Sequence, residues 1–69
     1  MEYKSYLLKI VGPNVNEFPN KHYPDNETAL EAAGEMVQRY PKGTTIKLYL
    51  VVDDELGRET KTLIGSVEH

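Results

Sequence analysis

A small α+β domain, one helix packed on a three-stranded and mostly antiparallel sheet in the order β-α-β-β, is what the sequence predicts. Three observations point to it. A stretch of helical periodicity stands between Asp25 and Tyr40, strongly alternating strand patterns flank it on both sides, and the chain is only 69 residues long. At that length a single hydrophobic core sits near the lower limit of independent stability without disulfides, a metal or a partner chain, so self-association is expected.

Residues 3–11 are rich in aromatic and branched side chains and are closed by Gly12-Pro13-Asn14, a turn signal. In this first strand Tyr6, Leu8 and Ile10 share one face, and Tyr3, Leu7 and Val11 share the other with Ser5 and Lys9. Residues 12–24 hold three prolines, three asparagines and a glycine and read as a long connection. Such a connection is either a binding loop or is anchored by Val15, Phe18 and Tyr23, with Phe18 and Tyr23 plugging the end of the core.

The helix is expected from Asp25 or Asn26 to Tyr40, because Ala29 or Leu30, Ala33, Met36 or Val37, and Tyr40 recur at three-to-four spacing. Asp25 and Asn26 are natural N-caps, Arg39 falls in the last turn, and Pro41 with Gly43 ends the helix. Glu27, Glu31, Glu35 and Gln38 form a solvated outer face. Gly34, costly inside a helix, suggests close approach to the sheet or to a partner.

Residues 44–53 give the cleanest strand, with Ile46, Leu48, Leu50 and Val52 on one face and Thr45, Lys47, Tyr49 and Val51 on the other. Asp54–Arg58 is a polar turn with Gly57 at a left-handed position, and residues 59–66 return as a weaker strand of undecided facing. Gly65-Ser66-Val67-Glu68-His69 reads as a linker running into a truncated histidine tag, which places the domain at 1–66 and sets 67–69 apart. The preferred sheet order is 1-3-2 with all pairs antiparallel, as in half of a ferredoxin-like fold; the alternative is 1-2-3 with a parallel first pair.

The chain has no cysteine, which excludes disulfides, thiolate metal sites and cysteine nucleophiles. The N-terminus lacks a signal-peptide pattern and no apolar run is long enough to span a bilayer, so a cytoplasmic protein is expected, without membrane association. No phosphate loop, dinucleotide fingerprint, nucleophile elbow or zinc spacing is present. His22 with Tyr23 and Asp25 is a weak proton-transfer grouping, and Asp53-Asp54-Glu55 lacks the spacing of a calcium loop. The expectation is a protein with no catalytic residues, no cofactor and no metal.

If one sheet face meets the helix, the other carries Tyr3, Leu7, Lys9, Val11, Lys47, Tyr49 and Val51, an apolar and aromatic face suited to interaction. The sequence thus points to a non-enzymatic interaction or regulatory protein, of the accessory type that phages and mobile elements encode, forming a homodimer or binding another protein. A single-stranded nucleic-acid platform built from the tyrosines and lysines is the second reading. The formal charge of -3 and the lack of arginine on this face count against it.

Overall fold

The computed structural model describes residues 3–19 and 21–69. Met1 and Glu2 of the expected domain, and Asn20 of the expected connection, lie outside the described residues. The elements are β1 (Tyr3–Gly12), β2 (Val15–Glu17), β3 (His22–Tyr23), α1 (Asn26–Val37), β4 (Thr45–Asp53) and β5 (Glu59–Glu68). They form a small α+β domain with one helix and a five-stranded antiparallel sheet.

The sheet differs from the expected three strands because the connection after β1 is itself structured. Gly12 ends β1, Pro13 and Asn14 turn the chain, and β2 pairs back along β1 with Gly12 opposite Val15 and Ile10 opposite Glu17. β3 continues in the same direction, placing Tyr23 opposite Tyr6 and His22 opposite Leu7. The chain therefore enters the helix already reversed. The helical crossover joins β3 to β4, which run the same way on either side of β1.

This reversal overturns the preferred 1-3-2 order and also the parallel pair of its alternative. Among the long strands β1 is hydrogen-bonded to β4, antiparallel, and β5 lies outside β4 at the sheet's edge. The order across the sheet is β2 and β3, then β1, β4 and β5.

The helix starts where the capping chemistry places it. Asp25 has an extended backbone, and its Oδ1 accepts a 2.7 Å hydrogen bond from the Thr28 N–H. It ends at Val37, earlier than Tyr40, so Arg39 lies beyond its last turn. Two tight turns follow, with Arg39 N–H donating to Met36 O and Tyr40 N–H to Val37 O, and Gly43 takes a positive φ of 95°.

Ala29, Ala33 and Val37, spaced by four, form the buried stripe, while Leu30 is exposed. They meet Leu8, Ile10, Ile46, Leu48 and Tyr23 on one sheet face, with Tyr6, Val15, Met36, Tyr40 and Val67 packed around them. Small alanines let the helix lie close to the sheet. Gly34 has no part in this, since a Cβ there would meet nothing within 4 Å.

The facing of β5, undecided from sequence, is explained by a bulge. Val67 stands opposite Ile46 and Gly65 opposite Leu48, yet Leu63 stands opposite Tyr49, leaving Ile64 as the extra residue. Leu63 and Val67 consequently lie on opposite faces although their spacing is even. Residues 67–69, expected outside the domain, continue it: Val67 packs against the core, β5 runs to Glu68, and the His69 N–H donates to Thr44 O at 3.0 Å.

The helix spans about 18 Å and the ten-residue strands about 33 Å. The β4–β5 hairpin end of the sheet therefore projects past the helix, and the molecule measures 40 × 22 × 17 Å. Leu50 and Val52 lie on the helix side of β4 as expected, but only half-buried, beyond the helix's reach.

Candidate functional surfaces

The face of the sheet opposite the helix is built in rows across β1, β4 and β5. Lys9, Lys47 and Ser66 make one row, Leu7, Tyr49 and Leu63 the next, and Ser5, Val51 and Lys61 the one after. All seven residues expected on this face come from β1 and β4, where the two-residue period places them.

Their exposure is uneven. Tyr3 is 67% exposed at the projecting end, whereas Leu7 (6%) and Val51 (1%) are buried. Lys9, Val11, Lys47 and Tyr49 are half-buried.

The cover comes from the segment between β2 and β3. Phe18 reaches across β1 so that its ring centroid lies 5.6 Å from that of Tyr49, at an interplanar angle of 45°. Lys61 Nζ lies 4.9 Å and Lys9 Nζ 5.7 Å from the Phe18 centroid, within reach of cation–π attraction. Phe18 remains 41% exposed. Instead of both aromatics plugging one core, Tyr23 enters the helix-side core and Phe18 covers the opposite face. Tyr23 stands opposite Tyr6 on the helix side, whereas Phe18 is the residue after β2, one step beyond Glu17 opposite Ile10, and its side chain goes to the other face.

A shallow cleft of about 230 Å³ opens here between Leu7, Phe18, Pro19, His22, Glu59 and Lys61. A 2.8 Å hydrogen bond joins Ser5 Oγ to His22 Nδ1. The sequence grouping of His22 with Tyr23 and Asp25 is not assembled: Tyr23 points into the core on the other face and Asp25 caps the helix.

Asp54 organises the hairpin turn. Its Oδ1 accepts from the Leu56 and Arg58 N–H groups at 2.9 Å each, and its Oδ2 accepts from Arg58 Nε at 3.0 Å. The backbone hydrogen bond from Arg58, joined by that from Leu56 and the Arg58 side chain, holds the Asp54 carboxyl below its ordinary value. Asp25 is likewise held low by the Thr28 backbone hydrogen bond. Among the described residues no three His, Asp or Glu side chains converge to hold a metal ion, and no helix is long and apolar enough to cross a membrane.

The second surface is the outer edge. β5 is a ten-residue strand bonded on one side to β4 and, among the described residues, to no other strand on the opposite side. Leu63 is 52% and Ile64 45% exposed. The opposite edge is interrupted, consisting of β2 with three residues and β3 with two. Leu63 and Ile64 escaped the sequence reading because the bulge breaks the alternation that assigns facing.

No known protein family, curated protein or solved structure matches the chain.

Proposed function

We propose that the protein is a non-enzymatic interaction module that self-associates by antiparallel pairing of β5 with the β5 of a second copy. The observation that carries this reading is the length and openness of that edge. Unpaired strand N–H and C=O groups are a template for another strand, and small domains of this size gain most from a partner. Short, broken strands such as β2 and β3 are the usual protection of an edge, and β5 lacks it over residues 59–63.

Its charge pattern is self-complementary there. Glu59 and Lys61 already pair within one chain at 3.3 Å. When two β5 strands run antiparallel about Thr60, each Glu59 stands opposite the other copy's Lys61. The bulge at Ile64 bends the edge beyond this stretch and confines pairing to it, favouring a closed dimer over an open ribbon. Support for a binding role over catalysis is that Asp25, Asp54 and His22 are each engaged in structural hydrogen bonds.

Light scattering across a dilution series tests the proposal. The protein is expected to be a dimer, Lys61→Glu to shift it toward monomer by setting like charges opposite, and the charge-swapped Glu59→Lys/Lys61→Glu variant to recover the dimer. A monomer at every concentration, or a dimer indifferent to Lys61→Glu, would sink it.

A further inference from the structure

Lys9 and Lys47 stand directly opposite one another on β1 and β4, on the face away from the helix. Neither has a carboxylate within ion-pair distance among the described residues. Like charges at directly opposed sheet positions are destabilising, a local cost set against the contact of Lys9 with the Phe18 ring and, for Lys47, against no ion pair among the described residues. Ser66 completes the row on β5, adding a hydroxyl to the two cations.

Beside this row Phe18 leans on Tyr49, and Lys61, ion-paired with Glu59, stands over the Phe18 ring. The ring is still partly open to solvent. Cations and an accessible aromatic ring side by side are what a nucleotide strand needs, a phosphate for the former and a base for the latter. An acidic peptide would satisfy the lysines and leave the ring without a partner.

We propose that this face docks a short segment of single-stranded nucleic acid, with a phosphate between Lys9 and Lys47 and a base stacked on Phe18. The acidic balance of the chain belongs largely to other surfaces. Glu27, Glu31 and Glu35 lie on the helix, across the sheet, and Asp54 and Glu55 in the projecting hairpin turn, whereas Asp53 and Glu59 form with Tyr3 the end row of this same face, two rows from Tyr49, where Glu59 pairs with Lys61. Glu68, one row along β5, bounds the basic row on that side. The sequence reading lacked Phe18 and Lys61, which reach this face from the connection and from a strand of undecided facing. Lys61 is shared with the β5 edge, but Phe18, Lys9 and Lys47 lie off that edge, so Phe18→Leu and Lys47→Glu test this site without altering the residues of the proposed dimer contact.

The test is fluorescence anisotropy of a labelled oligothymidylate of about 12 nucleotides, titrated with the intact protein at low salt and then with added sodium chloride. Binding that weakens with salt is expected, and Phe18→Leu, which keeps the apolar cover but removes the ring, should weaken it at least about tenfold, within the worth of one base–aromatic stack. Lys47→Glu should abolish binding while raising the melting temperature, because it replaces a like-charge pair with an opposite-charge one. Absence of binding at low salt would overturn the proposal. So would binding that survives Lys47→Glu, binding indifferent to Phe18→Leu, which marks general attraction to polyanions, or equal competition by free thymidine monophosphate, which marks a nucleotide pocket and no strand site.

Discussion

Thr44 shows how closely one residue is held where the chain reverses. It is fully buried between the end of β1 and the start of β4, and its Oγ1 has no hydrogen-bond partner among the described residues. A Cβ on Gly12 would come within 2.9 Å of that oxygen and of Val15 Cγ1, so glycine is needed there for the strand and its hairpin to close on Thr44. The backbone of Thr44 is well used, donating to Pro41 O and accepting from the His69 N–H. Only the hydroxyl is a liability, since an unsatisfied buried polar group costs about 1–3 kcal/mol. Thr44→Val keeps the shape and removes the oxygen. It is expected to raise stability by about 1 kcal/mol in urea unfolding with an unchanged m-value; a loss of stability would mean that the hydroxyl is satisfied in solution.

Among the elements, the helix was legible because its signals are local: the Asp25 cap, the four-residue spacing of Ala29, Ala33 and Val37, and the Pro41 stop act within a turn or two of one another. The same holds for the alternation of β1 and β4, which correctly divides their side chains between the two faces. What the sequence did not disclose is decided by pairing. Val15–Glu17 and His22–Tyr23 have ordinary loop composition and become strands only because β1 offers them an edge, and that pairing alone reverses the chain and moves β1 into the middle of the sheet. The bulge at Ile64 likewise arises from the register against β4, and the Phe18–Tyr49 contact joins residues far apart in sequence. Gly34 marks the limit of reading a helix by composition, because the close approach to the sheet that it suggested is absent. With room for a methyl group and a helical backbone, Gly34→Ala is expected to stabilise the protein by about 0.5–1 kcal/mol. Thermal unfolding monitored by circular dichroism checks this, and a lower melting temperature would indicate that this side of the helix is packed against another chain.

At the scale of the whole molecule, the two ends of the fold are tied by two carboxylates. Asp25 holds the entry to α1 and Asp54 holds the turn of the projecting β4–β5 hairpin, each by accepting backbone N–H bonds that strengthen when the carboxyl is ionised. Both folded-state pKa values are lowered from the ordinary aspartate value, Asp25 by its Thr28 backbone bond and Asp54 by its Arg58 backbone bond. A depressed carboxyl binds its proton less readily in the folded chain than in the unfolded one, so the stability it contributes is fully present above the unfolded pKa, about 3.9, and drains away as the pH falls through the folded value. The melting temperature should accordingly show no pH dependence from these two groups between about pH 5 and 7, where their contribution is fully present, and should decline as the pH drops below about 4. Asparagine keeps an oxygen acceptor at both positions, caps helices as well as aspartate, and does not titrate. Asp25→Asn/Asp54→Asn should therefore flatten the acid limb of the curve while leaving the fold intact by circular dichroism. An acid limb as steep as that of the parent would assign the loss to other carboxylates and remove these two from the account.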